Sequence, residues 1–162
     1  MTNREFQTRV LGCERRLYGI AYMLLNSAAD CEDAVQEALL RAWRRLGTLR
    51  EEAYFETWLM RIVINECKQL LRRRGRRAEG PLPETLPAPP PPNPELYRAL
   101  RALDARHRIV LTLKYIDGYG VAEIARILRV PQGTVASRLS RARKMLKDRL
   151  EGGDIDENTP LL

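Results

Sequence analysis

The stretch DGYGVAEIARILRVPQGTVASRLSRARKMLKDRL, Asp117 to Leu150, decides how the chain is read. Val121, Ile124, Ala125 and Leu128 recur at the three-and-four spacing of an amphipathic helix. A tight turn falls at Arg129-Val130. Pro131 then suits the first position of a second helix, where its missing N–H costs nothing and its fixed φ already fits. Such turns often use glycine, and an arginine held at φ > 0 carries a steric cost of order 1–2 kcal/mol. In the second helix Val135, Leu139, Ala142, Leu146 and Leu150 form a narrow apolar stripe. Thr134, Ser137, Arg138, Arg141 and Lys144 gather on roughly the opposite side. A helix packed on one face and lined on the other with Arg, Lys and small hydroxyls suits the DNA major groove. Arginine can grip guanine through two hydrogen bonds, and lysine neutralises phosphate. A plain solvated basic hairpin would share the charge, but here hairpin spacing, a proline at the helix start and basic residues concentrated on one helix coincide.

Working outward, the charge is uneven. Within a 162-residue chain of net charge +7, residues 1–77 carry +5, 78–94 carry −2, 95–150 carry +8 and 151–162 carry −4. Two basic segments, joined and ended by acidic pieces, point to a polyanion met by two separate surfaces. A membrane surface is the competing polyanion, but the basic residues are not clustered at one terminus or beside an apolar span. No stretch approaches the ~18 apolar residues that cross a bilayer, and the N-terminus lacks the apolar run of a signal peptide. Direct membrane insertion is not expected. Cys13, Cys31 and Cys67 are far apart in helical patterns, without a C-x-x-C pair, and His107 is the only histidine. Buried free thiols, a cytoplasmic setting and no zinc site or other cofactor follow.

Residues 4–25 read as a helix with Phe6, Val10, Leu17, Ile20, Ala21, Leu24 and Leu25 on its apolar side. Asn26-Ser27 breaks it, and Ser27 or Asp30 can cap the next helix, Asp30 to Leu46. There the apolar stripe steps by four through Ala34/Val35, Ala38/Leu39, Ala42/Trp43 and Leu46, leaving Asp33, Gln36, Glu37 and Arg41 mostly outside. Its acidic start and Arg-rich end suit the helix dipole. Gly47 to Tyr54 reads as a loop. A third helix from about Phe55 to Arg74 turns Trp58, Leu59, Ile62, Val63 and Leu70 to a core, with Arg61, Asn65, Lys68 and Arg72 along one polar strip. Aromatics beside such a strip can hold unstacked bases of a single strand, although Trp58 at this spacing reads as core. Ala78 to Pro94 holds 8 of the 10 prolines and reads as a semi-stiff spacer. Helices are expected from Pro94 to Leu103 and around Ala105 to Tyr115, with His107 a polar surface position. The tail after Leu150 reads as disordered.

DCEDAVQEALLRAWRRL (30–46), FETWLMRIVINECKQLLRR (55–73) and VAEIARILRVPQGTVASRLSRARKMLKDRL (121–150), in this order, resemble regions 2.2, 2.3–2.4 and 4.2 of the extracytoplasmic-function sigma factors of bacterial RNA polymerase, in the sigma-70 family. The likeness spans about residues 4–150. It implies an all-α fold of two small helical domains: a region 2 bundle at 1–77, a Pro-rich linker at 78–94 and a region 4 helix-turn-helix domain at 95–150, followed by a disordered tail at 151–162. It implies no catalysis by the chain. Asp33, Gln36, Glu37, Leu40 and Arg41 would dock on the clamp helices of the polymerase largest subunit, and region 4 on its flap. Such factors open the −10 promoter element and hold an extruded base at a loop corresponding to Gly47–Tyr54, with Leu49 and Arg50, over a floor that includes Asn65. Arg61, Lys68 and Arg72 would serve the same strand. A carboxamide such as Asn65 can both donate to and accept from a base edge. Leu49 stands where several relatives have a larger aromatic.

The −35 element would be read by the helix after Pro131, through Thr134, Ser137, Arg138, Arg141 and Lys144, with Lys114 on a phosphate. At Ala136 many relatives place Arg or Lys. Alanine can touch a thymine methyl but cannot neutralise phosphate, so the −35 preference leans on Arg138 and Arg141. An anti-sigma factor, often membrane-bound in such systems, would hold the protein silent. The alternative from a different class is a stand-alone helix-turn-helix regulator, with residues 1–77 as its dimerisation or effector module, binding a palindromic duplex site unaided. An enzyme is disfavoured: the sequence holds no H-E-x-x-H, no Gly-rich phosphate loop and no Cys–His pair.

Overall fold

The computed structural model describes residues 1–74 and 93–150. The helices are α1 (Asn3–Leu25), α2 (Ala28–Arg44), α3 (Phe55–Arg74), α4 (Pro94–Arg101), α5 (Ala105–Leu111), α6 (Val121–Leu128) and α7 (Gln132–Arg149). Single 3₁₀ turns lie at Leu46–Thr48 and Glu52–Tyr54, and a π-helical turn at Thr112–Ile116. No strand occurs among the described residues, and the fold is all-α as expected. Of the expected linker only Asn93 and Pro94 are described. The rest of it, residues 75–77 and the acidic tail lie outside the described residues.

The first half is a three-helix bundle whose starts are written in its caps. Thr2 Oγ1 accepts from the Glu5 amide at 3.2 Å while Glu5 Oε2 accepts from the Thr2 amide at 2.6 Å, a reciprocal box that opens α1. Ser27, rather than Asp30, caps α2, its hydroxyl accepting from the Asp30 amide. Asp30 instead pairs with Arg74, tying the start of α2 to the end of α3. Leu17, Ile20, Leu24, Val35, Ala38, Leu59, Met60 and Val63 fill the core at 0% exposure. Trp58 is buried, as its spacing predicts. Trp43 departs from expectation. It is 43% exposed, with an edge-on contact to Phe6 at 5.2 Å. α2 ends at Arg44, two residues early, and in the turn that follows Thr48 Oγ1 donates to the Arg45 carbonyl at 2.7 Å.

In the second half Asn93 caps α4, with Pro94 at the helix start. Asp104 caps α5. The corner between these helices is fixed by Arg108, 1% exposed, which donates to the carbonyls of Leu103 at 2.6 Å and Arg101 at 3.3 Å. Val135, Leu139, Ala142 and Leu146 of α7 are buried against α5 and α6, as their stripe predicts. Arg129 takes the left-handed conformation, φ 54°, that the turn demands and that glycine would adopt without strain. Pro131 stands at the N-cap, not the first helical position. Its ψ of 151° is extended, and its carbonyl takes the first bonds, from Thr134 and Val135. The two halves pack together, α3 against α6 and α1 against α5.

Candidate nucleic-acid interface

Burying one stripe of α7 turns its opposite side outward. Ser137, Arg141 and Lys144 are exposed, Thr134 and Arg138 half-buried, and Ala136 is exposed beside them. All five sequence-predicted side chains of this helix line one groove of about 610 Å³. Arg106 and His107 of α5 form its other wall, which helix periodicity did not reveal, because α5 reaches this place only through the packing of α5 under α7. The expectation for His107 is corrected: its side chain is 13% exposed and its Nδ1 pairs with Asp104. That partner is the N-cap of its own helix, so the ring is drawn in rather than left in solvent. Lys114 sits half-buried on the π-helical turn and does not line the groove.

On the first half, Leu49, Arg50 and Arg61 come together around a cavity of about 360 Å³, with Tyr54 and Trp58 as its aromatic lining. Asn65, Lys68 and Arg72 do not line it. They continue along α3, Asn65 and Arg72 exposed and Lys68 half-buried. Two further arginines, Arg126 and Arg129, reach this cavity from α6 and its turn. Arg126 lies over the Tyr54 ring, 4.6 Å from its centre. Sequence reading placed these two on the other half, and only the packing of α6 on α3 could bring them here. Burial, and then the charge of Arg129, hold the Arg61 guanidinium below its ordinary pKa. Lys68 is lowered by burial, then by the charges of Arg138, Arg72 and Arg106.

The third set is equally coherent. Asp33, Gln36, Glu37, Leu40 and Arg41 all line one groove of about 470 Å³ along α2, joined by Glu66 and Arg73 of α3. Leu40 is 52% exposed at its rim. Arg41 is held in place by Glu66, a buried carboxylate 2.8 Å away, and by Glu37 at 3.4 Å. Glu66 has no polar spacing signal, since it stands on an otherwise apolar side of α3. Among the described residues no helix is long and apolar enough to cross a membrane.

Comparison with known proteins places two family regions on these halves. Residues 10–77 match Sigma-70 region 2, and residues 94–146 match Sigma-70 region 4. The ECF RNA polymerase sigma factor SigM of Mycobacterium tuberculosis is 36% identical over 137 residues, covering 82% of this chain and 70% of that protein. The RNA polymerase sigma-H factor of Pseudomonas aeruginosa is 30% identical, covering 91% of this chain and 87% of its own. Among solved structures, the Bartonella quintana sigma factor RpoE, in complex with the anti-sigma factor NepR, superposes with a TM-score of 0.79 at 27% identity. It covers 93% of this chain and 99% of that one.

Proposed function

We propose a division of labour between the two halves of this chain, which belongs to the extracytoplasmic-function sigma factors of the sigma-70 family. It is an alternative sigma factor, a transcription initiation factor rather than a stand-alone regulator. Residues 1–77 form the domain that docks on core polymerase and takes the −10 element, 95–150 the domain that reads the −35 element, and 78–94 the connection. Asp33, Gln36, Glu37, Leu40 and Arg41 dock on the clamp helices of the largest subunit, while the second domain sits on the flap. Leu49, Arg50 and Arg61 surround the extruded −10 base, and Asn65, Lys68 and Arg72 carry the strand along α3. Thr134, Ser137, Arg138, Arg141 and Lys144 enter the −35 major groove, and Lys114 takes a phosphate.

The observation that supports this reading best is the clustering of two of the three residue sets. The five docking residues share one groove on α2, the five major-groove residues share another on α7, and each belongs to a different family region. The chemistry asked of the chain is positional: neutralising phosphate, reading base edges and holding an unstacked base. It makes and breaks no covalent bond, works where the polymerase is, in the cytoplasm, and is silenced by an anti-sigma partner.

Run-off transcription with purified bacterial core polymerase on genomic fragments, with and without this protein, tests the reading. Initiation at discrete start sites only when the protein is added is the expected result. No initiation with a cognate core, together with tight palindromic duplex binding by the protein alone, would return the regulator reading.

A further inference from the structure

Ten residues, Arg45 to Tyr54, connect α2 to α3, and none of them is buried. The core therefore does not fix the shape of this connection, and polar contacts carry that task. Upstream, Thr48 Oγ1 bonds the Arg45 carbonyl within the turn itself. Downstream, the hold comes from α1. Arg9 donates from Nη1 to the Glu52 carbonyl at 3.0 Å and from Nη2 to Glu52 Oε2 at 2.7 Å. The same guanidinium lies 5.8 Å from the centre of the Phe55 ring. Phe6, three residues before Arg9 and so on the same side of α1, meets Phe55 edge-on at 5.7 Å. Phe55 itself is buried. One side of α1 thus grips the place where the Glu52–Tyr54 turn runs into α3. An exposed ion pair alone is weak. A guanidinium that bonds the carboxylate and the backbone carbonyl of one residue fixes orientation as well as distance.

We infer that Arg9 is a positioning residue for base discrimination in the −10 element: it holds Glu52 from outside the 47–54 loop and so sets how Glu51 and Tyr54 face the cavity. The inference rests on the −10 role proposed above for that loop. Glu51 and Tyr54, on either side of the tethered residue, line the cavity of about 360 Å³ together with Leu49, Arg50 and Arg61, whereas Glu52 and Arg9 do not. Arg9 therefore acts on a strand through the loop rather than by contact. Both partners belong to the first half, so the tether does not depend on where the second half sits. Discrimination between bases needs cavity walls held to about 0.5 Å. Arg9 supplies that constraint where the core does not.

The test uses holoenzyme reconstituted from core polymerase and full-length chains: native, Arg9→Ala, Glu52→Ala and the double variant. Leu49→Ala and Arg50→Ala serve as controls inside the cavity. Start sites mapped by run-off transcription supply the −10 sequence. Fluorescein-labelled single strands carrying that sequence, and versions with each base replaced in turn, are titrated against each holoenzyme. Arg9→Ala is expected to reduce the preference for the native base at one position by about two- to five-fold. The other positions, binding to core and the urea midpoint of the free chain should change little, because the Arg9 side chain is 39% exposed and lies outside the core. Glu52→Ala should lose less, since its backbone carbonyl still accepts from Arg9, and the double variant should match Arg9→Ala alone. Losses that add in the double variant, or a uniform fall in affinity at every position, would overturn the inference, because Arg9 would then act on the strand by its own charge. So would an unchanged preference in Arg9→Ala where the cavity controls alter it. An unchanged preference in the controls as well would overturn the −10 role of the loop, and the positioning role with it.

Discussion

The polar strip of α3 and the basic face of α7 are built from the same kinds of side chain and sit in opposite circumstances. On α7, Ser137, Arg141 and Lys144 are exposed. On α3, Arg61 and Lys68 lie half-buried under the second half, and burial lowers the pKa of both. Each is lowered further by guanidinium groups that the second half brings, Arg129 in one case, Arg138 and Arg106 in the other. A cation in water and a cation crowded by cations are different reagents, although a sequence writes them alike. On the roles proposed, the face meant for duplex stands open, while the strip meant for a single strand is partly covered by the second half.

That contrast can be broken in three places. The largest effect is expected at Arg138, half-buried at the edge of the α7 groove. Arg138→Ala should lower promoter-specific initiation by roughly 5- to 100-fold, the equivalent of losing a base contact worth about 1–3 kcal/mol. Binding to core polymerase, measured by co-purification, should not change. Unchanged initiation from the native promoter would show that the α7 face reads DNA without it.

A smaller effect is expected at Asp117, between the halves. Its Oδ2 is shielded from solvent and unpartnered, and burial pushes its pKa up to about 7, with Arg16 opposing and Glu56 adding to the shift. The sign follows from linkage. A folded-state pKa above the unfolded value of about 3.9 means the stabilising proton is fully bound below that value in both states. Its contribution is then lost as pH rises through about 7. Asp117→Asn should therefore gain on the native chain as pH rises from 5 to 8. Urea midpoints at pH 5 and pH 8 would check it, and an equal gap at both pH values would remove Asp117 from the seam's electrostatics.

The smallest effect belongs to Lys68. Lys68→Ala should weaken single-strand binding only a few-fold, and flatten its dependence on log salt by about 0.7, one backbone charge on a single strand. A loss as large as that at Arg138 would mean that the α3 strip is no more hindered than the α7 face.

Much of this was legible beforehand. The α7 stripe, the bounds of α3 and the left-handed turn at Arg129 follow from periodicity and turn chemistry, which are local. The early end of α2, followed by a turn in which Thr48 bonds the Arg45 carbonyl, is not encoded by periodicity. Arg126, Arg129, Arg106 and His107 escaped as wall residues for a different reason. Each contributes to a surface assembled from segments far apart in the chain. Glu66 escaped because a buried carboxylate on an apolar side has meaning only with its partner, Arg41, in view.

The contact between Glu56 and Tyr119 joins positions 63 residues apart on one chain, and that changes how strong it must be. Surfaces tethered by a short connection meet at an effective concentration in the millimolar range. At 1 mM, halves that would bind each other, if cut apart, with a Kd of about 1 mM are closed half of the time. Near that midpoint, a change of about 1.4 kcal/mol alters the closed-to-open ratio ten-fold. A contact too feeble to survive between separate molecules can thus suffice to hold two halves of one chain together.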